Sequence, residues 1–141
     1  MKRLQLLIKL RERQAMIAAG ESINASATLE AATKDVDVSR TAISDVDAAL
    51  RPAVGEALDA AHINTLLVAR TQADMRLRES ILRQGSAQAA AQNARAAAFA
   101  ADAALRRVEF KKESLQNARD KALDAAAQTL NDLMAHRRVK Q

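Results

Sequence analysis

The chain has 141 residues, a hydrophobic content of 49% and a net charge of +5. Alanine supplies much of that hydrophobic content, and with two phenylalanines and no tryptophan or tyrosine the chain lacks the bulky side chains of an ordinary globular core. One proline and three glycines leave few helix breakers, and the lack of cysteine excludes disulfides and cysteine-based zinc sites. The composition therefore predicts an all-α protein built from long helices.

The opening sequence, MKRLQLLIKLRERQ, is basic and rich in leucine. Its apolar run is too short for a secretory signal, and no segment approaches the about 20 apolar residues of a membrane span. We therefore expect a cytoplasmic protein that starts at Met1 and is not inserted directly into a membrane.

Apolar residues then recur at alternating spacings of three and four up to residue 50. Twelve of the fifteen positions in this series are apolar: Met1, Leu4, Ile8, Arg11, Ala15, Ala18, Ser22, Ala25, Leu29, Ala32, Val36, Ser39, Ile43, Val46 and Leu50. A 3.5-residue repeat over seven heptads is typical of a coiled-coil seam. The repeat predicts a first helix over about residues 1–50.

A turn is expected at about residues 51–56, because Pro52 and Gly55 break the helical pattern there. The alternative is that Pro52 only kinks one helix and the chain reverses near residue 70 or at Gly85. Residues 15–50 carry a net charge of −4 and residues 57–107 a net charge of +3, which favours folding one helix back on the other. The predicted fold is a single antiparallel coiled-coil hairpin, with a second helix over about 57–138.

The second helix is longer than the first, so its last part is expected to have no partner within the chain. With the turn near residue 54, Met1 would lie opposite about residue 107, and residues 108–141 would extend beyond it. This extension still presents large apolar side chains: Phe110, Leu115, Leu123, Leu130 and Leu133. An unpartnered apolar stripe beside a basic segment predicts an external protein partner with an acidic surface.

Catalytic, metal-binding and nucleic-acid-binding patterns are not found in the sequence. His62 and His136 are isolated, the glycines form no phosphate-binding loop, and aromatic residues for base stacking are nearly absent. We expect no enzymatic activity, no metal, no cofactor and no nucleic-acid partner.

Both ends of the chain resemble one family. The opening LQLLIKLRERQ, a continuous heptad helix, one mid-chain break and the ending LNDLMAHRRVKQ are similar to the FliJ/YscO family of type III secretion stalk proteins. The alanine-rich last third fits the injectisome branch better than the flagellar one. The resemblance implies a stalk at the cytoplasmic base of the secretion apparatus. Its end with both termini would insert into the hexameric secretion ATPase, and it would also contact the export-gate membrane protein, with secretion chaperones as further partners.

Candidate binding residues follow from this resemblance together with the basic and apolar ends of the chain. For the ATPase they are Leu4, Leu7, Ile8, Arg11, Arg13, Leu130, Leu133, Arg137 and Arg138. For the export gate they are Ile43, Asp47, Leu66 and Arg70. Two other functions are left open by the sequence: an escort for export chaperones, and a structural dimer in which the heptads pair two chains.

Overall fold

The protein is all-α, as the composition predicts. The computed structural model describes residues 2–55 and 59–140, with side chains for 2–51 and 59–140. Helix α1 spans Lys2–Gly55 and helix α2 spans Ala60–Val139, and the two pack against each other as a helical hairpin. The chain forms two compact units: unit 1 contains residues 1–16 and 99–141, and unit 2 contains residues 17–98.

The heptad positions of α1 form its packed face, which confirms the predicted seam. Every described position of the series is buried or half-buried: Leu4, Ile8, Arg11, Ala15, Ala18, Ser22, Ala25, Leu29, Ala32, Val36, Ser39, Ile43, Val46 and Leu50. Apolar residues outside the series, such as Leu6 and Val38, remain 68% and 67% exposed. The repeat on α1 is therefore satisfied within the chain by α2, which does not require a second chain along this seam.

The reversal of the chain comes later than predicted. Helix α1 continues through Pro52 and ends at Gly55. Helix α2 begins after Asp59, whose Oδ1 accepts a hydrogen bond from the N–H of Ala61 at 3.3 Å. An aspartate in this position is a favoured helix N-cap. Residue 56 of the predicted turn, with residues 57 and 58 of the predicted second helix, lies outside the described residues.

The other reversal points that the sequence left open are wrong. Helix α2 is continuous from Ala60 to Val139, so it passes through residue 70 and Gly85 without a break.

Three side-chain contacts in unit 2 fix an antiparallel register. The Oγ atoms of Ser39 and Ser80 lie 3.3 Å apart, and Nε2 of Gln84 donates to Oγ1 of Thr33 at 3.2 Å. Nearer the turn, Nε of Arg70 donates to Oδ1 of Asp47 at 2.6 Å. Residues later on α1 thus contact residues earlier on α2, as in an antiparallel pair.

The packed face of unit 2 is made mostly of small side chains. Its buried members on α2 are Ala73, Ser80, Ala87 and Ala91. Val36 is the largest side chain with almost no exposure, at 2%. Since alanine buries little apolar area, a few larger residues such as Val36 contribute much of the packing free energy in this unit.

Candidate protein-binding surface

Helix α2 in unit 1 has a long section that no other part of the described chain covers. Val108 and Lys112 are half-buried, and every described residue after Lys112 is exposed. We call residues 113–140 the overhang. It begins five residues later than the predicted start at 108, because the turn itself lies later in the chain.

The overhang is amphipathic. Leu115, Ala122, Ala126 and Leu133 continue the heptad spacing on one face, and a neighbouring row contains Leu123, Ala127, Leu130 and Met134. We call these eight residues the overhang face. Its five large side chains are between 51% and 64% exposed. Contiguous apolar side chains left in solvent mark a surface that another molecule covers.

The sequence analysis named four of these five side chains and missed Met134. Met134 is 56% exposed and lies four residues after Leu130, which places both side chains on the same face of the helix. The signal was therefore present in the spacing. Phe110, which was expected on the same stripe, is 73% exposed but precedes the overhang.

Positive charge is concentrated in unit 1. This unit contains fourteen lysine and arginine residues against seven aspartate and glutamate residues, a net charge of +7, whereas unit 2 has eight against ten, a net charge of −2. The charge of the whole chain, +5, therefore hides two units of opposite sign. Over the whole unit, a charge of this size raises the association rate with an acidic surface. The overhang alone is close to neutral, with five basic and four acidic residues.

The predicted ATPase-binding residues on α1 divide into two groups. Leu4, Ile8 and Arg11 are seam positions, and Ile8 is only 8% exposed. Leu7 and Arg13 are exposed. The first group packs within the unit, so Leu7 and Arg13 are the α1 side chains that a partner could reach.

The guanidinium of Arg11 has different surroundings at its nitrogens Nη1 and Nε. Its Nη1 donates to Oε1 of Gln14 at 3.0 Å, whereas its Nε is buried and has no hydrogen-bond partner among the described residues. Arg11 therefore belongs to the packing of unit 1 more than to its outer surface.

All four predicted ATPase-binding residues on α2 are exposed. Leu130 and Leu133 belong to the overhang face, with 64% and 63% of their surface accessible, and Arg137 and Arg138 follow in the last turns. The side chains of this segment border one shallow surface groove: Leu130, Leu133, Met134, His136, Arg137, Arg138 and Lys140. Since they all belong to one helix, this groove is a feature of its surface and not an enclosed cavity.

The predicted export-gate residues already have partners within unit 2. Ile43 and Leu66 are half-buried seam positions, and Asp47 and Arg70 form the ion pair near the turn. The hydrogen bond to Asp47, followed by the negative charge of the same carboxylate, raises the pKa of Arg70 above its ordinary value. These four residues therefore contribute to the packing of α1 on α2 within unit 2.

Two further kinds of site concern the side chains of the described residues: a metal centre and a membrane span. In the described ranges, no group of three or more histidine, cysteine, aspartate or glutamate side chains could hold a metal ion. Neither helix, over the part that the structure describes, includes an apolar segment sufficient to cross a membrane. The chain matches no protein-family model, no curated protein and no solved structure.

Proposed function

We propose that this protein is a stalk of a type III secretion system, and that it binds the hexameric secretion ATPase through unit 1. In this role the protein promotes assembly of the hexamer and links it to the export gate at the cytoplasmic base of the apparatus. The proposal joins the resemblance of the two chain ends with the hairpin architecture.

The observation that carries the proposal is the combination of charge and exposed apolar surface in unit 1. The overhang face offers five large apolar side chains, and the unit around it has a net charge of +7. Apolar contacts supply most of the affinity at protein interfaces, while charge selects the partner and accelerates association. A partner for this unit needs an acidic rim around an apolar centre.

The exposed residues narrow the interface to fewer positions than the sequence indicated. On α1 they are Leu7 and Arg13, and on α2 they are Leu130, Leu133 and the Arg137–Arg138 pair. The contact with the export gate rests on the resemblance alone, since Asp47 and Arg70 are paired with each other.

The experiment is a titration of the purified protein into a type III secretion ATPase, with ATPase oligomer size and hydrolysis rate followed together. We expect the wild type to drive hexamer formation and to raise the hydrolysis rate. The test variant carries Arg13→Glu, Arg137→Glu and Arg138→Glu, three exposed positions in unit 1. Arg11 is left unchanged because its reversal would disturb the seam.

The matched control makes the same charge change in unit 2. It carries Arg40→Glu, Arg76→Glu and Arg95→Glu, which are also exposed. We expect this control to activate the ATPase as the wild type does, and the unit 1 variant to lose activation. An equal loss of ATPase activation in both variants would mean that the ATPase responds to the net charge of the chain and not to the position of the charges. If the wild-type protein changes neither the oligomer size nor the hydrolysis rate of the ATPase, the stalk function is refuted.

A further inference from the structure

We infer that the overhang face pairs with the overhang face of a second copy of this chain, in antiparallel orientation, with the two-fold axis near Ala126. This inference goes beyond the proposed function and does not rest on it. The dimer covers Leu130 and Leu133, so the secretion ATPase of the proposed function would bind the monomer.

The overhang has the dimensions of a coiled-coil partner helix. Residues 113–140 span four heptads, and a heptad pattern of that length supports a stable two-helix seam. The five large side chains are spread from Leu115 to Met134, so a partner must be an extended helix and not a compact loop. A second overhang has the required length.

The charges beside the face are self-complementary in the antiparallel orientation. Glu113 and Asp120 lie on one flank of the face near its start, and Arg138 lies on the same flank near its end. Around an axis near Ala126, Glu113 of one copy lies opposite Arg138 of the other, and two-fold symmetry repeats this pair.

The residues along the centre of the overhang face also favour the antiparallel orientation. Arg119 and Arg137 interrupt the apolar rows. In a parallel pair they would lie against Arg119 and Arg137 of the second copy, which is repulsive. In the antiparallel pair each arginine lies near a leucine, Leu133 or Leu115, over which its aliphatic stem can pack while the guanidinium reaches solvent. Leu123 and Leu130 then come opposite each other across the axis.

Sedimentation of the chain alone tests the association. We expect a monomer of 15.2 kDa at low concentration and twice that mass as the concentration rises from about 1 μM to about 1 mM. Leu123→Glu and Leu130→Glu should each raise the dimer dissociation constant at least tenfold without loss of helical circular dichroism. A monomer throughout, or an equal dimer with both variants, overturns the inference.

Cysteine cross-linking tests the orientation, because the chain has no cysteine of its own. Ala126→Cys places two thiols beside the axis, within the separation that a disulfide requires. Leu115→Cys is the matched position: its thiols would be about 33 Å apart in the antiparallel dimer, at 1.5 Å per residue, and adjacent in a parallel one. We expect a disulfide-linked dimer from Ala126→Cys alone, and equal cross-linking of both variants overturns the orientation.

A charge exchange tests the flank pair. Glu113→Arg and Arg138→Glu should each weaken the dimer, and the double variant should restore wild-type affinity, because each substituted residue again faces an opposite charge. If the double variant is as weak as the sum of the single variants, Glu113 and Arg138 do not face each other and the proposed register is wrong.

Discussion

The buried Val36 allows the packing of α1 on α2 to be measured directly. Val36 is 2% exposed, whereas Val38, two residues further along the same helix, is 67% exposed. Replacing either valine by alanine makes the same chemical change and the same change in helix propensity. Only the change at Val36 removes atoms from the interface between the helices.

The expected difference follows from the atoms removed. Two buried methyl groups at about 0.8 kcal/mol each account for about 1.6 kcal/mol. The space they leave adds about 1 kcal/mol if the helices do not close over it. Alanine returns about 0.5 kcal/mol through its higher helix propensity. Val36→Ala should therefore lower the free energy of unfolding by about 2 kcal/mol, and Val38→Ala should raise it by about 0.5 kcal/mol.

The assay is urea unfolding of the wild type and both variants, followed by far-ultraviolet circular dichroism. The midpoint should move to lower urea for Val36→Ala only, with an unchanged slope, because the exposed surface on unfolding is nearly the same. If both variants shift the midpoint equally, the valines have equivalent environments in solution, and the packed face described for α1 is refuted.

Three further changes test local features of the hairpin. Asp59→Ala removes the N-cap of α2 and should lower the unfolding free energy in urea by about 1 kcal/mol. Gly20→Ala and Gly85→Ala should each raise it by about 0.5–1 kcal/mol, since an added Cβ meets no atom within 4 Å at either helical site; a loss would mean that one of these sites is more crowded than described. Asp47→Asn and Arg70→Met should each lower the thermal midpoint, by an amount that shrinks as sodium chloride is added, because the ion pair is partly exposed; a loss that is independent of salt would contradict an ionic contribution.

The packed face of α1 was predictable from the sequence because the spacing of apolar residues is a local property of a helix. Leu4, Ile8 and Val36 were assigned to the seam from their spacing alone, and all three are buried or half-buried. Even Arg11 and Ser39, which are polar, occupy the seam because their neighbours in the series determine which side of the helix they are on.

The position of the turn was less predictable, because it depends on which of several helix-breaking and helix-capping residues ends α1 and starts α2. Pro52 indicates a break, yet the helix continues to Gly55 and the next helix starts after the cap at Asp59. The register of the whole hairpin depends on this choice, so an early turn also places the start of the overhang too early. For the candidate surface, spacing and charge located the overhang. The sequence also named Leu4, Ile8 and Arg11 both as seam positions and as ATPase-binding residues, and the structure was needed to show that they are packed within unit 1.

The register itself can be tested through the two serines that face each other in unit 2. Ser39 and Ser80 are 41 residues apart in sequence, and their Oγ atoms lie 3.3 Å apart. Ser80 is only 7% exposed, so replacing Ser39 alone leaves a buried hydroxyl without this partner. The double variant, with alanine at both positions, should therefore lose less stability than the sum of the two single variants.

A double-mutant cycle measures this difference, and we expect a coupling free energy of about 0.5–1.5 kcal/mol. Ser39 and the exposed Ser86 provide the control cycle, with an expected coupling below about 0.3 kcal/mol. Because no local helical contact can join residues so distant in sequence, coupling between Ser39 and Ser80 requires α2 to return alongside α1 in the described register. Zero coupling in both cycles would instead mean that the two helices pair in another register, and the start of the overhang would have to be moved with it.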